Sequence, residues 1–538
     1  MADTIATSRM ANSTASSPGS VLDFLVNDFK QSPAIYLTVV GVLFCTFLFH
    51  KLSYPARDGQ EPPLLHPRIP IIGHLIGIIK YKGAYLKILY DRYHPQIATL
   101  PILGGKLYVV FDPAIIQSIF RKKSLSFEPF ASEFAQRELL ISDETAHKLK
   151  TTSLVPDFFA AIHPAMTGDH LHRMNANALN YVSQELATIG DAENPLKNSN
   201  LWLWLRDLIT LATSEAMYGP ENPIRENKSL VDDLWTFESG LGLLLLNIYP
   251  SVTVPKAHFA RARLQAALGV YYGARKYEHE LAGQIVRARA GAFVMHGVPD
   301  EEVGHIELAL LHVATANTIP TLYWFFVHVF NRPELVQRLR EEVLPVAQHD
   351  GNNKVTIDVT TLDQKCPLLV ACYREAIRIT NQAVGNRRVL EDTLVTDGKG
   401  KSYLLKKGEN VQMSALVTHT LDNVWGENVL EFKPERFIET GSKENSESEK
   451  SRRAAFVPFG GGRTLCPGRN FAFAENLGLV TCLVLGFEVT LPDGPELPDG
   501  TNCDFAQAAY KPVKDGEGFG VQIQRRQGWE KTEWSFVS

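Results

Sequence analysis

One cysteine near the C-terminal end, Cys466, does most to restrict what this chain can fold into. It follows a glycine-rich turn (Gly460, Gly461 and Gly462) and precedes an apolar run that is compatible with a helix. Backbone N–H groups at the start of a helix stabilise a thiolate. The glycines permit backbone geometries that other residues avoid, so the turn could lie flat against a large planar ligand. On its own, the pattern is equally compatible with a buried structural thiol.

Two patterns of acidic and basic residues precede this cysteine. Glu375 and Arg378 are three residues apart in a helical segment, so they share one face and can pair. Further on, Arg436 lies in the segment Phe-Lys-Pro-Glu-Arg-Phe. A single Glu/Arg pair on a helix is usually an exposed ion pair that contributes little. The order and spacing of all three segments, however, exceed what chance would produce.

A long apolar run, residues 308–321, would by default be a core helix. It contains three polar residues close together, Thr315, Asn317 and Thr318, followed by Pro320. Proline lacks a backbone N–H, so we expect a local distortion of the helix that frees carbonyl groups.

Together these segments resemble the cytochrome P450 family, over roughly residues 62–525. The resemblance implies a mainly α-helical fold with a small β lobe and a bound haem b. It implies that Cys466 is the axial thiolate ligand of the haem iron, which favours O–O cleavage. It also implies that Glu375, Arg378 and Arg436 form a buried triad that supports the cysteine loop.

The resemblance assigns further residues around the haem. Cofactor-binding residues would be Arg387, Arg463, Phe459, Gly462 and Gly468. On the distal side, Thr318 would take part in proton delivery, while Asn317 and Thr315 would orient water. Most family members have an acid where this chain has Asn317 and a glycine where it has Thr315.

At these positions the chain resembles the clan of P450 enzymes that holds sterol 7α-hydroxylase and prostacyclin synthase. It looks like a fungal microsomal member of specialised metabolism. The usual arginine two residues before the cysteine is replaced by Thr464, and no Trp-x-x-x-Arg occurs at about 140–180. The haem propionates would therefore need other partners, for which Arg387, Arg463, and His170 or Arg173 are candidates.

Three activities are open at this point. The first is a monooxygenase that inserts one oxygen atom from O2 into an apolar substrate, with electrons from a separate NADPH–cytochrome P450 reductase. The second is a haem-thiolate isomerase or dehydratase acting on a hydroperoxide or endoperoxide, and the third a non-catalytic haem protein. The threonine that most family members have at this position is present here as Thr318, which favours the monooxygenase. The chain shows no dinucleotide fingerprint of its own.

The net charge and the cysteine spacing argue against some classes of protein and of site. The net charge of −5 gives no general case for nucleic-acid binding. Six cysteines without paired short spacing argue against a disulfide framework or a zinc site.

Arg452, Arg453 and Arg469 flank the cysteine loop and could face an acidic reductase. Segments 241–248 and 381–385 are expected to line the substrate pocket, but they do not name a ligand.

An uncharged apolar run, residues 34–49, lies near the N-terminus. It is just short of a usual membrane span, and its flanks could lengthen it. A cleaved signal peptide is the alternative, but a long polar segment precedes the run. The predicted organisation is therefore a luminal segment (1–33), a transmembrane anchor (34–52), a proline-rich hinge (53–79) and a catalytic domain (80–538).

The positive-inside rule places the catalytic domain in the cytosol, because Lys51, Arg57 and Arg68 follow the span. We therefore expect a single-pass protein of the endoplasmic reticulum membrane. Asn12 would then be a luminal glycosylation acceptor.

Periodicity predicts the main elements of the body. Apolar stripes predict helices at 86–93, 176–189, 201–216, 259–290 and 301–330. Strands are expected at 96–103 and 106–111, joined by a glycine turn, with a second small sheet at 389–395 and 402–411. The charged segment 439–453 is expected to be a solvated surface loop.

Overall fold

The computed structural model describes residues 33–53, 56–69, 71–351, 353–438, 445–492, 508–512 and 519–538, and more than half of these residues are helical. Within these residues, helices α1 to α23 are, in order, Pro33–Ser53, Leu75–Tyr81, Ala84–Tyr93, Pro113–Phe120, Glu128–Leu139, Asp143–Thr151, Leu154–Ala165, Gly168–Ala187, Leu201–Tyr218, Pro223–Glu226, Ser229–Leu246, Pro250–Thr253, Pro255–Gly273, Gln284–Met295, Asp300–Thr315, Thr318–Phe330, Pro333–Val343, Leu362–Lys365, Pro367–Thr380, Ala415–Thr418, Asp422–Trp425, Asn445–Ala455 and Arg469–Gly486. Short 3₁₀ turns include Pro434–Phe437 and Gly462–Thr464.

The strands form small sheets. Strands β1 to β13 are Ile97–Ile102, Gly105–Val110, Leu125–Ser126, Leu196–Asn198, Ala347–His349, Lys354–Asp358, Val384–Val389, Thr393–Thr396, Ser402–Leu405, Asn410–Ser414, Phe487–Thr490, Val521–Arg525 and Glu533–Val537. The largest sheet has the order β1-β2-β10-β7-β3, and two three-stranded sheets and the hairpin β8-β9 complete the set. The prediction of a mainly helical fold with a minor β component is confirmed.

The centre of the helical body is α16, whose thirteen residues are all buried. A helix that is apolar on every side must be surrounded by other elements. Trp202 of α9 packs edge-on against Tyr323 of α16, with ring centroids 6.0 Å apart. On another side, Phe325 lies 5.6 Å from Tyr373 of α19. This packing fixes α16 and α19 relative to each other, which matters for the site below.

Several predicted elements match the structure closely. The helices expected at 86–93 and 201–216 correspond to α3 and α9, and the strands at 96–103 and 106–111 to β1 and β2. The turn between these strands has positive φ at Leu103 and Gly104, as a tight hairpin requires. The helix expected at 176–189 begins earlier, as α8.

Other predicted elements are wrong in their continuity. The run 259–290 is two helices, α13 and α14, because the chain turns after Gly273 and Arg275 adopts a left-handed conformation. The second sheet is wrong too, since β7 and β10 join the five-stranded sheet and only β8 and β9 pair with each other. Part of the predicted surface loop 439–453 is helical, as α22, and residues 439–444 lie outside the described residues.

The proline-rich segment is attached to the body rather than free along its whole length. Thr99 of β1 donates its N–H to the Pro63 carbonyl at 2.8 Å and its hydroxyl to the Pro62 carbonyl at 2.8 Å. The Glu61 carboxylate is buried and accepts hydrogen bonds from Lys106 at 2.6 Å and Tyr108 at 2.5 Å. Any hinge must therefore lie before Glu61.

At the N-terminal end, α1 carries the apolar run 34–49 and exposes most of its large side chains, such as Leu37 at 65% and Leu43 at 63%. By length and hydropathy, no helix in the described part of the chain qualifies as a membrane span. Of the predicted luminal segment (1–33), residues 1–32, among them Asn12, lie outside the described residues.

Candidate active site

The cysteine loop ends at the start of α23. The Cys466 N–H donates to the Phe459 carbonyl at 3.0 Å, which closes the loop on itself. Burial raises the pKa of the Cys466 thiol, while the N–H groups of Gly468 and Arg469 and the Arg469 charge act in the opposite direction. These are the contacts expected for a thiolate at a helix N-terminus. A metal ion at the sulfur would deprotonate it outright.

Two of the three glycines are needed for a reason that differs from the predicted one. A Cβ on Gly461 would lie 2.3 Å from the Phe120 ring, and one on Gly462 would lie 2.2 Å from the Phe120 carbonyl oxygen. Gly462 also has a positive φ of 66°. The loop therefore packs against the end of α4, and Gly462 is exposed on its outer side rather than facing the cavity described next.

A cavity of about 330 Å³ lies between the cysteine loop and the distal helices α15 and α16. Its walls are mostly apolar. They are formed by Ile162, Met166, Met174, Met217, Ile285, Arg289, Leu310, Val313, Ala314, Asn317, Thr318, Thr321, Tyr373, Ile377, Asn381, Pro458, Phe459, Cys466, Pro467, Gly468, Arg469, Phe471, Ala472, Ala508 and Ala509. The structure thus brings Cys466 and Thr318, which are far apart in sequence, to one space.

The distal helix is interrupted where Pro320 predicts a distortion. α15 ends at Thr315 and α16 begins at Thr318. Pro320 has no N–H to offer the carbonyl four residues earlier, that of Ala316. Thr318 lines the cavity and donates its hydroxyl to the Ala314 carbonyl at 3.1 Å. The break therefore places the Thr318 hydroxyl beside the cavity, while the Ala316 carbonyl, which lacks its helical donor, belongs to a buried residue that does not line the cavity.

The other two predicted distal residues are placed differently. Thr315 is buried, does not line the cavity and donates its hydroxyl to the Leu311 carbonyl at 2.9 Å. Asn317 does line the cavity, but its Oδ1 accepts the N–H of Ala508 at 2.7 Å. Ala508 is 191 residues from Asn317 along the chain, and no local sequence pattern predicts this contact.

Behind the loop, Glu375 binds both predicted arginines. Arg378 donates to the two oxygens of Glu375 at 2.7 and 2.8 Å, and Arg436 donates to Oε1 at 3.1 Å. The side chains of Glu375 and Arg378 are fully buried and that of Arg436 is 7% exposed. The remaining guanidinium N–H groups bind backbone carbonyls, among them those of Trp425 and Val429. The triad therefore keeps one net positive charge, which these carbonyl dipoles surround.

His419 connects this triad to the cysteine loop, and sequence reasoning missed it. Arg378 Nη1 donates to the His419 carbonyl at 2.7 Å. The Val457 N–H, at the start of the loop, donates to His419 Nε2 at 3.1 Å. Burial, with the Arg378 charge next, lowers the pKa of His419 to about 3. The ring is therefore neutral and carries its proton on Nδ1.

Arg387 is a buried cation without an acidic partner among the described residues. It donates to the Thr464 hydroxyl at 2.7 Å and to the Gly461 carbonyl at 3.2 Å, and burial lowers its pKa to about 10. It shares a cleft of about 140 Å³ with Arg463. Thr464, which replaces the usual arginine, thus helps hold another arginine at the edge of the loop.

Some predicted residues lie elsewhere. His170 and Arg173 bind each other at 2.8 Å and line a separate cleft of about 80 Å³. No residue of 241–248 lines the main cavity, because Leu241 and Leu244 point into the core and Leu246 is exposed. Of 381–385, only Asn381 lines it.

The thiol, the apolar cavity and the buried arginine together fit a haem. A thiol sulfur with N–H groups directed at it faces an apolar cavity, which suits an iron ligand and a planar hydrophobic ring. Arg387, buried without a carboxylate, suits an anionic propionate. We expect Cys466 to bind the iron. Arg387 and Arg463, the candidates for the propionates, line the cleft of about 140 Å³ rather than the cavity that Cys466 lines.

We expect Glu375→Ala to destabilise the protein by about 3–5 kcal/mol, because two buried arginines would lose their counter-charge. Arg374→Ala on the same helix is the matched control. Arg374 forms an ion pair with Asp363 that is 42% and 55% exposed, so its loss should cost ~1 kcal/mol or less. Chemical unfolding of both variants measures the difference. Equal stability of the two variants would contradict the buried triad.

The neutral His419 predicts acid lability. In the folded state the pKa of His419 is lower than in the unfolded state. Unfolding therefore takes up a proton between about pH 6.5 and 3. The stability that is present above pH 6.5 is lost as the pH falls. His419 should contribute up to about 1.4 kcal/mol per pH unit there. His328, with a pKa also lowered to about 3, adds a similar contribution.

His419→Gln should reduce this slope by the contribution of one histidine, while the exposed His147→Gln should not change it. The measurement is the free energy of unfolding at several pH values from 7 to 4. An unchanged slope in His419→Gln would show that His419 is not buried in neutral form.

Comparison with known proteins agrees with this site. The family model described as cytochrome P450 matches residues 291–512. A cytochrome P450 monooxygenase of Gibberella zeae is 42% identical over 506 residues, which cover 93% of this chain and 96% of that protein. The 5-beta-cholestane-3-alpha,7-alpha-diol 12-alpha-hydroxylase of Sus scrofa is 23% identical over 487 residues, covering 86% and 92%. The fold is similar to that of retinoic acid bound cyanobacterial CYP120A1, with a TM-score of 0.62, 19% identity, and coverage of 87% and 100%. The predicted resemblance to sterol hydroxylases is confirmed, and the chain belongs to the cytochrome P450 family as a monooxygenase with thiolate-ligated haem b.

Proposed function

We propose that this P450 is anchored by α1 in the endoplasmic reticulum membrane, with its catalytic domain in the cytosol. We propose further that it inserts one oxygen atom from O2 into a bulky apolar substrate of sterol or terpenoid type. A separate NADPH–cytochrome P450 reductase would supply the electrons. The observation that carries this proposal is the apolar cavity that holds Cys466 on one side and the Thr318 hydroxyl on the other.

The cavity wall favours an apolar substrate with few polar groups. Apart from Arg469 beside the cysteine, Arg289 is the only charged residue that lines it in the described part of the chain. Arg289 is neutralised by Glu307, which it contacts at 2.8 Å. A wall of this kind gains free energy mainly from buried apolar surface. The Sus scrofa relative, whose name describes a sterol diol as its substrate, supports a sterol-like molecule here.

Bound haem supplies the oxygen-activating chemistry. The part of this chain is to hold and move protons. The Thr318 hydroxyl now donates to the Ala314 carbonyl, and a change of its χ1 angle would let it donate into the cavity instead. Turned in this way, the Thr318 hydroxyl and water in the cavity would form a short route for protons.

A basic surface beside the cysteine loop supports docking of an acidic reductase. Arg121, Lys122 and Lys123 are exposed at the end of α4 and share a cleft with Arg463. The predicted Arg452 and Arg469 suit this role less, because both bind backbone carbonyls nearby, Arg452 that of Arg436 and Arg469 that of Cys466. Electrostatic docking of this type should weaken as ionic strength rises.

Exposed apolar side chains support attachment to a membrane. Those of α1 are between about one-third and two-thirds exposed over most of its length. A second exposed group, Leu246, Ile248 and Tyr249, lies at the end of α11 and in the turn before α12. Exposed apolar surface of this extent favours a lipid environment.

We expect Thr318→Val to uncouple the reaction. The change keeps the volume of the side chain but removes the hydroxyl, so product should fall several-fold while hydrogen peroxide per NADPH consumed rises. Thr321→Val is the matched control, since Thr321 lines the same cavity and donates to the carbonyl four residues earlier, that of Asn317, at 2.8 Å. The assay uses purified protein, reductase and NADPH, with cholesterol as the sterol probe.

Full turnover of a hydroperoxide without NADPH, unaffected by Thr318→Val, would contradict the monooxygenase route and favour the isomerase. Equal uncoupling in Thr321→Val would show that any hydroxyl in the cavity has the same effect.

Removal of residues 1–53 should release the protein from membranes at high salt while haem binding persists, since the bonds around Glu61 remain. Removal of residues 1–65 is the comparison, because it also deletes the segment that binds Thr99 and Tyr108. This longer deletion should lower the melting temperature. Complete retention of the shorter variant in the membrane fraction would assign membrane binding to the surface around Ile248.

A further inference from the structure

A short segment of the C-terminal region, residues 508–512, lies against the break in the distal helix. We refer to it as the strap. Its first two residues, Ala508 and Ala509, form part of the cavity wall. The side chain of Asn317, inside the break, accepts the Ala508 N–H at 2.7 Å. The distal helix and the strap are thus joined directly at the cavity.

Other contacts attach the strap to three further places. The Gln382 N–H donates to the Ala508 carbonyl at 2.7 Å, and the Tyr510 N–H donates to the Thr380 carbonyl at 3.1 Å. The Trp324 indole of α16 donates to the Tyr510 carbonyl at 2.9 Å. Lys511 forms an ion pair with Glu238 of α11, which is 3% exposed.

The bond from Asn317 differs from these other contacts. It is formed by a side chain that itself lines the cavity, and it binds the first residue of the strap. A hydrogen bond of this type contributes about 0.5–1.5 kcal/mol and fixes direction as well as distance. The Ala508 N–H occupies one of the two acceptor positions of Oδ1, so the amide oxygen has only one position left for a ligand.

We propose that Asn317 is a positioning residue that holds the strap in the cavity wall and so determines which ligands the cavity accepts. The residue therefore does not replace the acid that other family members use for proton delivery. This inference rests on the proposed function only in treating the cavity as the substrate site.

Hydrogen exchange of the full-length haem protein tests the bond itself. In Asn317→Ala the Ala508 amide should exchange roughly tenfold faster than in the wild type. Asn317→Asp keeps an oxygen at the same distance, so protection should be retained. Thr315→Val, at the end of α15 next to the break, is the control, since its hydroxyl binds only the backbone of α15, and it should leave Ala508 unchanged.

The Tyr510 amide serves as an internal reference. Equal acceleration at Ala508 and Tyr510 would indicate general loosening and would contradict the local bond. An unchanged Ala508 rate in Asn317→Ala would overturn the proposal. If Asn317→Ala does not fold, Asn317→Ser, whose hydroxyl is too short to reach Ala508, takes its place with the same expectation.

Two nitrogen ligands of haem iron, imidazole and the bulky clotrimazole, test the effect on the cavity by their spectral shifts. Asn317→Ala should change the ratio of their dissociation constants at least about threefold, because only the larger molecule reaches the strap. Asn317→Asp should keep the wild-type ratio. An identical ratio in all three proteins would show that the strap does not shape the wall. Neither measurement needs reductase or substrate, so failure of the proposed reaction would be seen separately.

Discussion

The carboxylate of Glu375 is the group on which the rest of the site depends. It is fully buried and binds two arginines, so the triad carries one net positive charge inside the protein. A charge in that position costs several kcal/mol unless polar groups surround it. Backbone carbonyls of residues 419, 425 and 429 do so, and each belongs to the segment that leads toward the cysteine loop. Satisfying the charge therefore fixes the path of that segment.

Two steps connect the triad to Cys466. The triad holds the His419 carbonyl, and the neutral ring of His419 accepts the Val457 N–H. The loop then closes through the bond between Cys466 and Phe459 and packs against Phe120. On the opposite side, packing of α16 against α19 sets the position of Thr318 in the cavity that Cys466 also lines. A buried carboxylate on α19 and the apolar surface of α16 thus determine both faces of one cavity.

Part of this could be predicted from local signals in the sequence. The Glu375–Arg378 pair, the cysteine loop and the helix break each depend on residues close together in the chain, whereas Arg436, 61 residues from Glu375, was assigned to the triad by the family resemblance. The second sheet and the long helix 259–290 were wrong, because short strands of similar composition do not reveal their partners and a left-handed turn at Arg275 has no strong signal. His419, the basic residues 121–123 and the bond between Asn317 and Ala508 were missed, since each acts through a contact between distant segments. The prediction that residues 241–248 line the pocket is wrong for a similar reason. An apolar helix has a core face and an exposed face, and composition does not show which of them meets a ligand.

The most direct test of the account is the spectrum of the reduced, carbon monoxide-bound protein. The wild type should show the red-shifted Soret band of thiolate-ligated haem. Cys466→Ala should lose that band, while Cys482→Ala, which removes a buried thiol from the same helix region, should keep it. Retention of the band in Cys466→Ala would place the iron ligand on another cysteine and would contradict the arrangement described for the loop, the triad and the cavity.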